Sequence, residues 1–450
     1  MSAIRSAIVL AVAVLGLGAG PAAAQGRDYG AMYDDRLLGQ KQPDYREVVL
    51  WNLQNVFLPK LTAAERQRLR SLTLDFPLRG PTGGLFEYFA ERSGRVVLPV
   101  MSIRFLADLS VAFAWLDTNR YTMESVTDYV SMVKYQDPGK FGGRYPDPRA
   151  ALRIPANATD NQRVDNLSQQ ILNQSLSFLL LHEMGHVLYQ HPGYGPGVPR
   201  ARARENEDEA DRFALEVLRR VGQPINGLLF FFLAAAHFVD HRADFGSDAD
   251  YQVSLAKDTH PLTSDRVARL AQYLREHAAD YGRLQSDPSR AAVAIRSIAD
   301  AIDQQVVPVL ADPDQQRLMA LRGRSMTLAG LAPRRPGETM AAPPPASTVP
   351  GQLFHGVFDG NMDDGTATLP TRAVLFRQGD RVTGQYSFGA GQGEISGLVE
   401  DERLTFVWRT AEGAGRGVLR SSRDGSKVEG TWGVGDRTAG GGRWTGTRAR

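Results

Sequence analysis

No cysteine occurs anywhere in the chain. That excludes disulfides, zinc–thiolate sites, a cysteine nucleophile and a lipid-modified N-terminal cysteine. Charge imbalance is missing too: 52 basic and 50 acidic residues leave a formal net charge of +2, and no long block of one sign occurs. Nucleic-acid binding needs a clustered basic face, so no nucleic-acid partner is expected. Long apolar runs are also lacking. Ala7–Gly20 and Gly227–Phe238 both fall short of the roughly 20 residues that span a bilayer. The second stretch reads as a buried core helix, so no stable membrane span is expected in the mature chain.

Arg5, the apolar run after it and Ala22-Ala23-Ala24 before Gln25 have the order of a cleavable signal peptide over residues 1–24. Export to the periplasm or the extracellular space is the expectation. Six prolines in 333–350, with Ala, Ser and Thr between them, mark a linker that cannot bury apolar surface. Beyond it, residues 351–450 hold 21 of the 45 glycines and three of the five tryptophans. Alternating runs at Ala373–Gln378, Arg381–Phe388, Arg403–Arg409 and Lys427–Trp432 predict strands. The turn pairs Gly379-Asp380, Asp401-Glu402 and Asp424-Gly425 separate them. A small antiparallel barrel or sandwich follows, either a binding module for a cell-envelope ligand or a structural one.

Residues 25–332 read as mainly helical, so the fold class is α+β: a helical domain, then a small all-β domain. Thr62-Ala63-Ala64-Glu65 is a capping box that starts a helix through Ser71. Strand-like runs at Leu72–Phe76 and Arg95–Val100 precede helices at Met101–Thr118 and Glu124–Tyr135. The Pro- and Gly-rich segment Gln136–Asp160 reads as a long loop. Arg95–Val100 and Ala150–Ile154 are candidates for an edge strand that would align a peptide.

One long helix is expected from Val164 to Gln190, stopped by Pro192-Gly193. Near its end stands His182-Glu183-Met184-Gly185-His186. Residues four apart share a helix face, so both imidazoles can turn a nitrogen to one ion at about 2.0–2.1 Å. Glu183 flanks that ion without binding it, where a general base would act on water. A catalytic zinc site takes three protein ligands and keeps one position for solvent. The third ligand should come from nearby, and Glu205, Glu207 and Glu209 begin the next helix, where Ala210 and Ala214 permit close packing.

The metzincin pattern fails, because Tyr189 and Pro192 stand where glycine and histidine are needed and His191 falls one residue short. HExxH followed by Glu207-Asp208-Glu209-Ala210-Asp211 resembles the gluzincin type of zinc peptidase, with HtpX-like, CAAX-protease-like and bacterial metallopeptidase families nearest. The resemblance covers about residues 164–270. It implies a zincin-like metallopeptidase domain with Zn2+ held by His182, His186 and Glu207, and Asp211 supporting a ligand histidine. It further implies Glu183 as general base and a peptide or protein substrate. Thr259-His260-Pro261 with Arg266 resembles an element beyond the site in such peptidases, so His260 or Arg266 could stabilise an oxyanion. The same residues also read as a helix start, with Thr263 or Ser264 as cap. His237 and His241 are also four apart, as a second metal pair or as the polar edge of an apolar helix. Two other functions compete with the peptidase: a non-catalytic protein with a structural zinc, and a cell-envelope binding protein whose peptidase domain is degenerate.

Overall fold

Asp34 opens the first helix by accepting the Leu37 amide at 2.7 Å, and α1 runs over Asp35–Asn52. The computed structural model describes residues 29–192, 198–222, 224–255, 260–335, 353–365, 367–378, 380–389, 391–411 and 413–449. The expected signal peptide, Thr259 and all but the first three residues of the expected linker lie outside them.

The capping box is present, with Thr62 and Glu65 each bonding the other's amide. The helix it starts, α2 (Ala63–Arg68), is shorter than expected, because the Leu69–Ser71 stretch turns toward the sheet. Three short strands follow: β1 (Thr73–Asp75), β2 (Phe89–Ala90) and β3 (Arg95–Val97), in the order β1-β3-β2. The expectation of an edge strand at Arg95–Val100 is therefore corrected. Strand β3 is central, parallel to β1 and antiparallel to β2, and it ends before Pro99, which precedes the next helix.

That helix, α3 (Val100–Thr118), and α4 (Glu124–Tyr135) lie where the periodicity put them. The segment 136–160 is less irregular than its composition suggests. It holds α5 (Pro148–Ala151) and two single 3-10 turns, Pro138–Phe141 and Ala158–Asp160. Asp137 and Asp147 each cap the turn that their following proline begins. Ala150–Ile154 is thus the end of α5 and a turn, not a strand.

Next come α6 (Gln162–Tyr189), α7 (Arg200–Val221) and α8 (Gly227–Phe238). Helix α6 is central, packed on α3, α7 and α8. The apolar α8 contributes Leu228, Phe231 and Phe232 to the core, and no helix among the described residues is long and apolar enough to cross a membrane. The helical part closes with α9 (Asp248–Leu255), α10 (Ser264–Glu276), α11 (Ala278–Tyr281), α12 (Pro288–Ala301), α13 (Val307–Ala311) and α14 (Pro313–Ser325).

The C-terminal part is a closed eight-stranded antiparallel barrel with its own apolar core. Its strands are β4 (Gly356–Asp363), β5 (Thr368–Gln378), β6 (Arg381–Phe388), β7 (Gly391–Glu400), β8 (Arg403–Thr410), β9 (Gly413–Ser421), β10 (Lys427–Val434) and β11 (Gly442–Arg448). Each pairs with the next, and β11 returns to β4, so no sheet edge remains. The architecture is α+β, a mainly helical part followed by an all-β barrel.

Candidate metal centre

Helix α6 begins where Asn161 accepts the Arg163 amide and ends where Gln190 adopts a left-handed backbone (φ 54°). Its last two turns carry His182, Glu183 and His186, all buried. Helix α7 crosses it closely enough to bring Glu207 to the same point. The small residues make this approach possible: a Cβ added to Gly185 would stand 2.8 Å from the Cα of Ala210. The backbones therefore meet at the second x of the motif. Ala210 and Ala214 are both fully buried along α7.

The donor atoms converge. His182 Nε2 and His186 Nε2 are 3.0 Å apart, and they lie 3.4 and 3.3 Å from the two oxygens of Glu207. His260, just before α10, joins them with its Nδ1 3.4 Å from His182 Nε2 and 3.3 Å from Glu207 Oε1. Tetrahedral ligands at about 2.0–2.1 Å from zinc stand roughly 3.3 Å from one another. The spacing found here is that of ligands around one small divalent ion, and His182, His186, Glu207 and His260 could hold it. Glu205 and Glu209 point to other partners: Glu205 pairs with Arg202 at the surface, and Glu209 meets His191.

Around the cluster lies a second set of contacts. Asp211 Oδ1 is 2.8 Å from His182 Nδ1, and both Asp211 oxygens accept from Arg266 at 2.6 and 2.8 Å. The same guanidinium reaches Glu207 Oε2 at 2.5 Å. Arg266 is placed by α10, whose N-cap Thr263 accepts the Arg266 amide; the helix start and the placement of His260 thus coexist. His191 escaped the sequence reading except as a histidine out of register. Its backbone N–H closes the end of α6 on His186 O, its Nδ1 is 2.9 Å from His186 Nδ1, and its Nε2 is 2.8 Å from Glu209. A proton on His191 Nε2 directed to Glu209 leaves its Nδ1 as acceptor for His186 Nδ1–H, which frees His186 Nε2 to ligate. A histidine placed directly after a helix C-cap was the available signal.

Electrostatics follow from burial and these contacts. Burial opposes the charged form of His182, but Asp211 and Glu207 outweigh it and raise its pKa to about 10. His186 is dominated by burial, helped by the His182 charge, and falls to about 4. For Glu207 burial acts upward, yet Arg266 and His260 hold the carboxyl well below its usual range. Asp211 is likewise kept low by Arg266 and His182 against burial. His260 is raised by Glu183 and Glu207 against burial. Glu183 Oε1 is 3.5 Å from His260 Nε2, while its buried Oε2 has no hydrogen-bond partner among the described residues. An unpartnered buried carboxylate oxygen costs about 1–3 kcal/mol or more, a cost that a group reserved for a reacting proton would incur.

One pH dependence follows. Metal-free protein carries a proton on His182 at neutral pH, and a metal can bind only as that proton leaves. Apparent zinc affinity should rise about tenfold per pH unit from pH 6 to 8, and a flat profile in a chelator-competition titration would show His182 already neutral. Stability of the metal-free form runs the other way. A histidine with a raised folded pKa contributes fully below its ordinary value near 6.5, and the contribution is lost as pH rises through about 10.

His237 and His241 do not lie on one helix. Helix α8 ends at Phe238, so the two do not share a helix face; His237 Nδ1 bonds Ser131 Oγ at 3.0 Å. Neither belongs to the group of converging donors found among the described residues.

Comparison with curated proteins finds no match, and comparison with solved structures finds none either. Residues 123–284 match the family model described as Peptidase U49. That stretch runs from α4 through α11 and carries every residue of the cluster, so the chain is similar there to a family of peptidases, and the match supports a peptidase.

Proposed function

We propose that this chain is a zinc-dependent metallopeptidase of the gluzincin type, with His182, His186 and Glu207 as ligands and Glu183 as general base. The observation that carries the reading is the meeting of ligand-spaced donors with a buried carboxylate that has one uncommitted oxygen. The Peptidase U49 match over the same residues supports the peptidase part of that reading.

A bound zinc ion would lower the pKa of water toward about 7 and polarise a scissile carbonyl. The chain's own groups do the rest. Glu183 takes the proton of the attacking water and delivers it to the leaving amine. Asp211 fixes the His182 ring through Nδ1, and the His191–Glu209 pair fixes His186 in the same way. Arg266, engaged with Asp211 and Glu207, positions both carboxylates rather than the substrate.

His260 is the most exposed of the four donors, with 22% of its side chain accessible, and it faces Glu183. We assign it to the developing oxyanion. The competing role is a fourth ligand, which would close the site and make it structural. Under the first assignment His260→Ala keeps a full complement of zinc and lowers kcat by about 10²–10³-fold, with little change in KM. Loss of zinc from that variant would favour the structural reading.

Purified protein should contain one zinc per chain by elemental analysis and cleave members of a peptide library. Removal of the ion by chelation should abolish cleavage, and zinc should restore it. Cleavage that survives complete removal of metal would end the proposal. Export, read from residues 1–24, belongs to the same proposal and is tested by fractionation of cells that make the full chain.

A further inference from the structure

The barrel interior is filled at one end and hollow at the other. Toward the starts of β4, β6, β8 and β10 it is packed solid by Phe354, Phe358, Leu375, Val382, Leu404 and Leu419, all fully buried. Toward the ends of those strands lies a cavity of about 220 Å³, walled by Tyr386, Phe388, Phe406, Trp408, Trp432 and Trp444. An apolar cavity of about 150 Å³ holds a benzene ring, so this space admits a somewhat larger molecule. Eight strands give a barrel wide enough either to fill with side chains or to keep one small ligand. This barrel does the first in its lower half and the second in its upper half.

The hollow is built into the strands. Cross-strand from the large rings stand glycines: Gly393 opposite Tyr386 and Gly415 opposite Trp408. A Cβ at either would come within 2.5 and 2.7 Å of those rings, and one at Gly441 within 2.6 Å of Trp432. The rings therefore lie back against the wall, where a side chain would otherwise drive them across the axis. Trp432 and Phe388 remain only half buried, and Val434 at the rim is 65% exposed.

The wall also specifies chemistry. No charged side chain is among the described residues that line the cavity. The Trp408 indole N–H donates to Gly433 O at 3.0 Å and that of Trp444 to Thr371 Oγ1 at 3.2 Å, so these two polar edges are satisfied, and the Trp432 indole N–H is the one that has no hydrogen-bond partner among the described residues that line the cavity. An ion would lose its hydration here without compensation. Flat rings, by contrast, find edge and face partners on several sides at once.

We propose that the open end of the barrel binds one neutral, ring-bearing apolar small molecule, independently of the metal centre. The probe is N-phenyl-1-naphthylamine, a neutral amine bearing a phenyl and a naphthyl group that accepts energy from tryptophan. Titrated into the full chain with excitation of tryptophan, it should show saturable one-to-one binding at micromolar concentration. Thr410→Trp, at the end of β8, should fill the hollow and weaken binding at least tenfold with an unchanged melting curve. Met362→Trp enters from β4, four strands away around the barrel, and gives the same reading where the first variant fails to fold. Absence of saturable energy transfer in the wild type overturns the proposal. So does undiminished affinity in a folded filling variant, which would place the dye elsewhere.

Discussion

Glu183→Gln is expected to bind as much zinc as the wild type and to cleave peptide about 10²–10⁴-fold more slowly. The substitution preserves shape and removes the ability to accept a proton. It also leaves the ligand set alone, because Glu183 is not among the converging donors and its carboxylate faces His260 Nε2 at 3.5 Å. The amide is easier to bury than the carboxylate, so the fold should not suffer and its melting temperature should hold or rise. This pairing of retained metal with lost turnover separates catalysis from a structural zinc. A structural site gives no role to a buried carboxylate beside the metal, and there the substitution would change nothing but stability. Retained hydrolysis would take the base role from Glu183.

The local grammar of the helical part was readable because caps and periodicity act over a few residues. Helices α4 and α8 begin and end where the pattern put them, and Asn161 starts α6. The histidine pair was legible for the same reason, since i and i+4 share a face in any α-helix. The barrel was only half legible. Its strands β5, β6, β8 and β10 carry alternating large residues, whereas β7 and β9 hold three glycines each, which lowers strand propensity when taken alone. Gly391, Gly393, Gly415 and Gly417 among them face aromatic rings, as Gly417 faces Phe406 on the neighbouring strand, a relation visible only once the strands are paired. Likewise, the grip of Arg266 on Asp211 and Glu207 spans more than fifty residues and depends on how α10 packs on α7. Gly185 is similar: in the sequence it is an unremarked x of the motif, and in the fold it is where α6 touches α7.

Glu207→Gln should lose zinc affinity by more than about 100-fold, beyond the 10–100-fold typical of an outer partner. A neutral amide is a poor ligand for zinc, and it also gives up the charge that Arg266 and His260 face. Removing one acceptor from a buried guanidinium adds about 1.5–3 kcal/mol of destabilisation, so the melting temperature should fall even in metal-free protein. The neighbouring acids provide the contrast. Glu205 is surface-exposed and pairs with Arg202, so Glu205→Gln should leave metal and turnover unchanged. Glu209 acts only through His191 and His186, so Glu209→Gln should weaken zinc by at most about 10–100-fold while keeping the stoichiometry. Metal content measured across the three variants therefore ranks the acids by their distance from the ion. If Glu207→Gln kept full zinc and one of the others lost it, the ligand assignment would move along α7 by the corresponding two residues.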